Sequence, residues 1–415
     1  MISIFDLDKT LFHLKIDYTK LRNELQKKTN KNCEFKPIIS AILSFDNSTE
    51  LFDIIDEHEL KSVSSATTRE VLFHYQESLQ NNKENTYIIT RNGLKLVKAL
   101  FSKFNILLPS EQNIFTRETN ITKQKTDKEF VDLLNFKKTD TINYYGDSIH
   151  DVILCTNIYN KFQCDIIFYP PFWVNKNIKY GWKSEHFNSL KKREINTSEN
   201  IRLLVNVEKS IGFLHIPKNM GTSIERSNVF VEQRDFIQSL YKNKLINNNY
   251  ADNEHTISEI NKIMNSNVLE HIHFFCIVRN IKCRTLSLVN WVKTNKHKNR
   301  EIMREEILNR YNNLETINIL KYMVKKIKWP QPFQTNYLTI DNIKEYKQNF
   351  SIFNFHDIEK KGFIEINNYI IEVPKVNVSE KVVKKLTQEE IDLIQKIFKE
   401  DIELFDYIIN NNLIT

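Results

Sequence analysis

The chain has 415 residues, 41% of them hydrophobic, which is enough material for two domains with their own cores. This composition excludes collagen-like and disordered chains. The net charge of +7 favours anionic substrates such as phosphate and sulfate esters, although it also suits nucleic acid. The longest apolar stretches, such as 166–174 and 274–278, are far too short to cross a bilayer, so we expect no membrane span.

The five cysteines predict a reducing compartment. They are scattered, with no C-x-x-C pair, and each lies in or beside an apolar stretch, which is typical of buried thiols. The first residues have the pattern of a buried strand rather than of a charged segment followed by an apolar one, so we expect no signal peptide. The sequence therefore predicts a cytoplasmic protein.

The first part of the chain alternates between strand and helix patterns. Strands are predicted at 2–5, 86–90, 140–145 and 165–169, and helices at 93–104 and 149–160. Strands that alternate with helices form a parallel sheet with covered faces, and its ligands bind at the carboxyl ends of the strands. We expect such a domain over residues 1–174, with the insert 12–85 as a small, largely helical cap that selects the substrate.

A second domain is predicted over residues 209–415. It follows a linker at 175–208 that is rich in Lys, Asn, Ser and Glu. Its predicted elements are strands at 211–216 and 273–278 and a long helical pattern at 388–409. The predicted fold class is α/β, with two domains that each contain a mainly parallel sheet and flanking helices.

Two carboxylates follow the first predicted strand. Asp6 and Asp8 flank a single residue, so both can point into one pocket across a tight turn. Carboxylates this close repel each other unless a cation lies between them, which predicts a magnesium site. A magnesium-neutralised Asp6 can attack phosphorus, and Asp8 can protonate the leaving oxygen.

Three later segments add phosphate-binding and acidic groups. Thr90 ends a strand, and its hydroxyl and the following backbone amides are predicted to hold a phosphate at a helix start. Lys125 opens another predicted helix, where it can neutralise charge on the nucleophile, and Lys123 is an alternative for this role. Asp147 and Asp151 follow the third strand and complete the predicted metal shell, although a charge in the first turn of a helix also explains Asp151.

The order of these segments resembles the haloacid dehalogenase (HAD) superfamily of phosphatases. The pattern of that superfamily is D-x-D-x-T, a Ser/Thr strand end, a Lys and then G-D-x-x-x-D, and each motif alone is a weak signal. The resemblance covers about residues 1–170 and implies a Rossmann-like fold. The roles that it implies are Asp6 as nucleophile, Asp8 as general acid and base, Thr90 and Lys125 on the phosphate, and Asp147 with Asp151 on magnesium.

An anion-binding turn follows the first strand of the second domain. Lys218, the hydroxyls of Thr222 and Ser223, and the backbone amides around Gly221 come together at a helix start. Lys218 precedes Gly221, whereas the Walker A pattern places its Lys after the last glycine. This order argues against an ATP-driven kinase.

A second anion-binding group follows the strand 273–278. Arg279 ends that strand, and Ser287 lies eight residues further on in a predicted helix, so both can bind one anion. Arginine suits a terminal phosphate because it forms paired hydrogen bonds with phosphate oxygens.

These two segments resemble the carbohydrate sulfotransferases that use 3′-phosphoadenosine 5′-phosphosulfate (PAPS). The pattern of those enzymes is H-I-P-K-T-G-G-T-S, followed by V-R-N-P-x-x-R-x-x-S. The likeness spans about residues 209–407 and implies a P-loop-like fold; Met220 replaces a glycine of the pattern, which can tighten the loop or change its backbone angles. It implies that the 5′-phosphosulfate is held by Lys218, Gly221, Thr222 and Ser223, and the 3′-phosphate by Arg279 and Ser287.

Sulfuryl transfer also needs a base for the acceptor hydroxyl. His255 matches a histidine that recurs before the Arg-bearing strand in this family, and the near-neutral pKa of histidine suits the role. A surface or helix-capping role fits His255 equally well, and Glu225 is a reserve candidate.

The sequence thus predicts a bifunctional enzyme. It would hydrolyse a small phosphate ester with Mg²⁺, and it would transfer sulfate from PAPS to a hydroxyl of a carbohydrate or glycolipid. One alternative is a nucleic-acid end-processing phosphatase and kinase, against which the absent Walker A pattern and the Arg279–Ser287 pair count. Another is a phosphatase fused to a non-catalytic nucleotide-binding module, if Met220 disables the second site.

Overall fold

The computed structural model describes residues 1–29, 35, 38–119, 125–177, 179, 181–183, 204–216, 219–242, 271–293, 298–311, 315–325, 334, 338–346, 349–375 and 385–415. The chain divides into two compact units, formed by Met1–Ile195 with Lys242–Leu245 and by Asn196–Tyr241 with Ile246–Thr415. Within the described residues, no helix is long and apolar enough to cross a membrane.

The first unit is built on a mainly parallel sheet. Its strands are β1 (Ile2–Phe5), β2 (Phe12–His13), β3 (Thr67–Thr68), β4 (Thr86–Ile89), β5 (Ile114–Phe115), β6 (Thr141–Tyr145), β7 (Asp165–Tyr169) and β8 (Trp182–Lys183). The main sheet has the order β5-β4-β1-β6-β7-β8, in which only β8 runs antiparallel to its neighbour. All four residues of β1 are buried between β4 and β6, so the strand that precedes Asp6 is central. The four strands predicted here are confirmed.

Helices flank this sheet and fill the insert. They are α1 (Tyr18–Thr29), α2 (Ile38–Ile42), α3 (Ser48–Val63), α4 (Val71–Asn81), α5 (Leu94–Lys103) and α6 (Ile149–Phe162). The last two confirm the predicted helices, and the insert is largely helical, as expected. Lys125, however, does not open an α-helix. The chain after it forms a 3₁₀-helix, Lys128–Leu133, whose two buried residues Phe130 and Val131 are adjacent and cannot form the apolar stripe of an α-helix.

A buried ion cluster fixes α3 of the insert to the start of α5. The guanidinium of Arg117 lies 3.1 Å from Glu59 Oε1 and also contacts Asp56. Glu59 in turn accepts hydrogen bonds from the Asn92 side chain at 3.0 Å and from the Gly93 backbone N–H at 3.1 Å. The side chains of Arg117 and Glu59 are only 4% and 6% exposed, so these charges depend on each other rather than on water.

We expect the Arg117→Met variant to lower the free energy of unfolding of the first unit by roughly 3–5 kcal/mol, because it leaves the buried carboxylate of Glu59 without its cation. Hydrogen exchange of α3 and α5 amides measures this loss. Lys95→Met is the matched control, since Lys95 also pairs with Asp56, at 2.9 Å, but is 63% exposed. Its cost should stay below about 1 kcal/mol, and equal effects of the two variants would contradict the account.

The second unit has its own, smaller sheet. Its strands are β9 (Val205–Asn206), β10 (Ile211–Leu214), β11 (His273–Val278), β12 (Phe350–Asn354), β13 (Phe363–Ile366) and β14 (Tyr369–Glu372). The sheet has the order β12-β11-β10-β9; its first three strands are parallel and β9 is antiparallel, while β13 and β14 form a separate hairpin. Strands β10 and β11 confirm the predicted pair.

The helices of the second unit differ from the prediction at its end. They are α7 (Gly221–Glu225), α8 (Val231–Lys242), α9 (Ile281–Lys293), α10 (Lys298–Tyr311), α11 (Thr316–Lys325), α12 (Ile340–Tyr346), α13 (Phe355–Lys361), α14 (Gln388–Ile397) and α15 (Lys399–Asn410). The helical pattern at 388–409 is two helices rather than one, because Phe398 leaves the helical conformation at ψ 33° while its ring is fully buried.

Candidate active site

The first predicted site lies at the carboxyl edge of the first sheet. Asp6 follows β1 and Thr90 follows β4, while Asp147 comes two residues after β6. Because these strands are parallel neighbours, their ends meet at one edge. The backbone N–H of Asp6 donates to the carbonyl oxygen of Tyr145 at 2.9 Å, which fixes the end of β1 against the end of β6.

Lys125 is the buried cation of this edge. Its Nζ lies 2.6 Å from Asp6 Oδ1, 2.5 Å from Asp151 Oδ1 and 3.1 Å from the carbonyl oxygen of Ile89. Burial acts to lower the pKa of Lys125, but the charges of Asp151 and Asp6 outweigh it and hold that pKa above its ordinary value. Lys125 is therefore charged and fixed on the predicted nucleophile.

Asp151 is fully buried and its carboxylate is saturated with donors. Oδ1 accepts from Lys125 and from the Tyr144 hydroxyl at 2.9 Å, and Oδ2 accepts from the Ser148 hydroxyl at 2.6 Å and the Ser148 backbone N–H at 3.0 Å. A Cβ at Gly146 would lie 2.4 Å from Asp151 Cγ, so only glycine admits this carboxylate. Burial would raise the pKa of Asp151, yet Lys125 and these hydrogen bonds hold it below its ordinary value. Asp151 thus has two functions in the fold: it caps the start of α6 and it orients Lys125.

Three of the four predicted metal ligands cluster. One carboxylate oxygen from each of Asp6, Asp147 and Asp151 lies within 4.8 Å of the others. Burial, then the charge of Asp151, raises the pKa of Asp6 to about 7 despite Lys125, and burial with the charges of Asp6 and Asp151 raises that of Asp147 well above its ordinary value. Three carboxylates this close together, two of them buried, fit a hard divalent cation with oxygen ligands. Because the oxygens of Asp151 already have donors, Asp6 and Asp147 are the ligands that best fit Mg²⁺.

Asp8, the fourth predicted ligand, is not part of this cluster. Its Oδ1 accepts from the Leu14 backbone N–H at 3.2 Å, and its Oδ2 accepts from the Tyr18 hydroxyl at 3.4 Å. Burial raises the pKa of Asp8, which favours the protonated form that a general acid requires. Asp8 therefore lies outside the group of three carboxylates that Asp6, Asp147 and Asp151 form.

The carboxylates at the edge of the first sheet should make the free energy of unfolding of the first unit depend on pH. Without a metal, the folded pKa of Asp6, about 7, exceeds its ordinary value of 3.8, so the folded state binds the extra proton and loses stability as pH rises from about 4 to about 7. A Mg²⁺ concentration of about 100 times the Kd measured at about pH 8 should add about 2.7 kcal/mol to the free energy of unfolding at that pH. The same concentration should add less at about pH 5, where protons compete with Mg²⁺ for the carboxylates. Thermal unfolding with Mg²⁺ or with a chelator measures this. The increment should vanish in Asp147→Asn, and an increment retained there would contradict the site.

The phosphate-binding site predicted after β4 has fewer free backbone amides than expected. The Gly93 amide, one of those expected to hold a phosphate, donates instead to Glu59 Oε2 at 3.1 Å, and the next amide, that of Leu94, donates to Glu118 Oε2 at 3.0 Å. That part of the prediction was wrong because carboxylates of the protein already occupy the start of α5. The Thr90 hydroxyl, which donates to Asn92 Oδ1 at 2.9 Å, remains at the sheet edge.

Sequence reasoning missed several residues of this edge. Ser148 and Asp151 form a capping box at the start of α6, a spacing that the sequence does show. Tyr144 donates to Asp151 from within β6, and no pattern in that strand distinguishes it from a core residue. Tyr18 and Glu59 come from the insert, and no local pattern indicates that they reach the sheet edge. Lys123, the alternative to Lys125, lies outside the described residues.

The second predicted site lies at the carboxyl ends of β10 and β11. These strands are parallel neighbours, with Leu214 opposite Cys276, so the turn after β10 and Arg279 after β11 come to the same edge. Lys218 and His255 lie outside the described residues, and so do the neighbours of His255.

The turn after β10 has a constrained backbone. Met220 adopts φ 63° and ψ 13°, the left-handed conformation that glycine favours, so it keeps the loop in the shape that a glycine at this position allows. A Cβ at Gly221 would lie 1.7 Å from Nε2 of His215, so this imidazole packs directly on the glycine. The short helix α7 follows, with Thr222 half-buried and Ser223 buried in its first turn.

A buried polar network holds this turn against the end of β11. The Asn219 side-chain amide donates to the Ile277 carbonyl at 2.7 Å and to Gln334 Oε1 at 2.9 Å. Gln334 donates through its side chain to the Arg279 carbonyl at 3.1 Å and through its backbone N–H to Asp401 Oδ2 at 2.8 Å. The network fixes both predicted anion-binding segments and the C-terminal helix α15 to one another.

Arg279 occupies an aromatic platform beside this turn. Its guanidinium carbon lies 3.8 Å from the centre of the Phe355 ring, and burial lowers the pKa of Arg279 from its ordinary value. Ser287 is half-buried in the second turn of α9, and the reserve base Glu225 is buried at the end of α7. Comparisons of the chain with protein-family models, with curated proteins and with solved structures found no match.

Proposed function

We propose that the first unit is a magnesium-dependent phosphatase that hydrolyses small phosphate monoesters, in the manner of the HAD superfamily. The observation that carries this proposal is the buried contact between Asp6 and Lys125 beside Asp147, at the end of the central strand. A carboxylate held by a fixed cation, among acids with raised pKa values, is typical of sites that transfer phosphoryl groups.

The reaction would take two steps. An oxygen of Asp6 attacks phosphorus, the ester P–O bond breaks, and the carboxyl group of Asp8 gives its proton to the leaving oxygen. Water then attacks the phosphorus of the aspartyl phosphate and gives a proton to Asp8. The bond between phosphorus and the Asp6 oxygen breaks, which releases phosphate and restores both acids. Lys125 and Thr90 hold the transferring group throughout.

Asp6 and Asp147 would hold the magnesium ion, which supplies charge neutralisation between the nucleophile and the phosphate. Asp151 acts through Lys125, because it keeps that ammonium on Asp6. Phosphate release from p-nitrophenyl phosphate and from sugar monophosphates by the full chain, with Mg²⁺ or with a chelator, tests the activity. Phosphate release that a chelator does not reduce, or no phosphate release at all, would contradict this part of the proposal.

We also propose that the second unit transfers sulfate from PAPS to a hydroxyl of a carbohydrate or glycolipid. Two observations support this proposal. The turn that requires Gly221 and the ring-stacked Arg279 lie at the same edge of the second sheet. A buried hydrogen-bond network through Asn219 and Gln334 holds the two segments together. Lys218 and His255 keep their proposed roles on the phosphosulfate and the acceptor hydroxyl. Three of the four described cysteines are buried and all four are free, which favours a cytoplasmic setting.

The Arg279→Ala variant should bind 3′-phosphoadenosine 5′-phosphate about 30–100-fold more weakly than wild type, since a charge-assisted contact with phosphate contributes about 2–3 kcal/mol. Calorimetry on the full chain measures this. Lys282→Ala, which removes an exposed charge from the first turn of α9, is the control and should change Kd less than twofold.

The outcome also separates the rival functions. No binding to folded wild type would remove the sulfotransferase proposal. Binding without sulfate transfer to any acceptor would favour a non-catalytic nucleotide-binding module. Salt-sensitive binding of DNA in place of the nucleotide would favour an end-processing enzyme.

A further inference from the structure

Helix α1 of the insert carries two side chains toward the first site. It begins at Tyr18, where the carboxylate of Asp17 accepts from the backbone N–H groups of Thr19 and Lys20 at 3.0 and 2.9 Å. Tyr18 and Arg22 are four residues apart, so they lie on the same helix face. The guanidinium carbon of Arg22 lies 5.9 Å from the centre of the Tyr18 ring.

Tyr18 marks where this face meets the site. Its hydroxyl donates to Asp8, the proposed acid, at 3.4 Å. Burial, then the charges of Asp8 and Glu59, raises the pKa of this hydroxyl, and the nearby charge of Arg91 acts against them. The hydroxyl therefore lies among Asp8, Glu59 and Arg91, at the side of the site where the leaving group must accept its proton.

Two arginines at this side have no anionic partner in the described part of the chain. Arg22 stacks on Tyr18, and its Nε is buried without a hydrogen-bond partner. Arg91 Nη1 contacts His150 Nε2 at 3.1 Å, and an imidazole is not an anionic partner in either of its ordinary protonation states. By contrast, Arg117 nearby is paired with two carboxylates.

Partly buried cations without anions are costly, and a ligand anion would satisfy them. We assign Lys125 and Thr90 to the transferring phosphoryl group, because Lys125 contacts Asp6 and Thr90 lies at the same sheet edge. Arg22 instead stacks on the Tyr18 ring, whose hydroxyl donates to Asp8, and Arg91 follows Thr90 at that edge. We propose that Arg22 and Arg91 bind a second phosphate carried by the leaving group, so that the phosphatase substrate is a bisphosphate. This inference rests on the proposed phosphatase function. The second phosphate could belong to a sugar or to a nucleoside.

Phosphate release by the full chain with Mg²⁺ tests the inference on two substrate pairs. These are glucose 1,6-bisphosphate against glucose 1-phosphate, and adenosine 3′,5′-bisphosphate against adenosine 3′-monophosphate. In at least one pair we expect kcat/KM for the bisphosphate to exceed that for the monophosphate about tenfold or more. Arg22→Gln and Arg91→Gln should each reduce this preference to within about threefold. Lys20→Gln, which removes an exposed charge from the same helix, should leave it unchanged.

The substrate pair that shows the bisphosphate preference also shows whether the second phosphate belongs to a sugar or to a nucleoside. Equal kcat/KM within both pairs, or a preference that survives both arginine variants, would overturn the inference while leaving the phosphatase intact. If no ester is hydrolysed, the proposed phosphatase function fails, and the inference of a second phosphate site is then tested by ligand binding. Calorimetry on Asp6→Asn should then still show tighter binding of the bisphosphate than of the monophosphate in at least one of the two pairs, and that difference should vanish when Arg22→Gln is added. No difference would overturn the inference as well.

Discussion

Replacing Asp6 with Asn is expected to lower the rate of phosphate release by about 10⁴-fold or more. Asn has nearly the same shape as Asp, but its neutral amide cannot attack phosphorus to form the aspartyl phosphate. The fold should survive, because Lys125 keeps its short contact with Asp151 and its hydrogen bond to Ile89. Phosphate release in the presence of Mg²⁺ measures the effect.

The control for Asp6→Asn is the same change at an exposed carboxylate. Asp132 is 57% exposed and pairs with Lys161 at the surface. Asp132→Asn should retain activity within about twofold, since exposed pairs contribute less than about 1 kcal/mol. If Asp6→Asn retained a tenth or more of the activity, Asp6 would not be the nucleophile.

The Lys125→Met variant is expected to lose both stability and activity. It leaves Asp6 and Asp151 as buried, unpaired carboxylates, which should lower the free energy of unfolding of the first unit by roughly 3–5 kcal/mol. It also removes a fixed charge from the transferring group, which should lower kcat about 10²–10³-fold. Hydrogen exchange of β1 and β6 amides and phosphate release measure the two effects.

Lys161→Met provides the matched comparison for Lys125→Met. Lys161 Nζ lies 2.7 Å from Asp132, much like the contact of Lys125 with Asp6, but its side chain is 38% exposed. Its removal should cost below about 1 kcal/mol. A similarly small cost for Lys125→Met would mean that the buried contact does not hold the site together.

The sheet edges and their acids could be predicted from the sequence for a physical reason. Buried parallel strands are short apolar runs, and several chemistry-bearing residues follow such a strand closely, as Asp6 follows β1 and Arg279 follows β11. The alternation of such runs with helices was enough to place Asp6, Thr90 and Asp147 together. Parallel pairing alone brings the ends of such strands to one edge.

Contacts from distant segments could not be predicted in this way. The number of backbone amides available to a phosphate after Thr90 was overestimated, because the Gly93 amide donates to Glu59, which lies 34 residues away in the sequence. Tyr18 reaches Asp8 through the path of the insert, which no periodicity encodes. Strand β12, Phe-Ser-Ile-Phe-Asn, was missed, and its pairing with the distant strand β11 is what fixes it in the sheet.

The central claim is that Asp6 forms a covalent bond to phosphorus. Rapid acid quenching of wild type during turnover of p-nitrophenyl phosphate, followed by mass spectrometry of the peptide that contains Asp6, tests it directly. We predict one added phosphoryl group on that peptide, which hydroxylamine removes and which Asp6→Asn lacks. Continued phosphate release with no adduct, in both wild type and Asp6→Asn, would contradict the account.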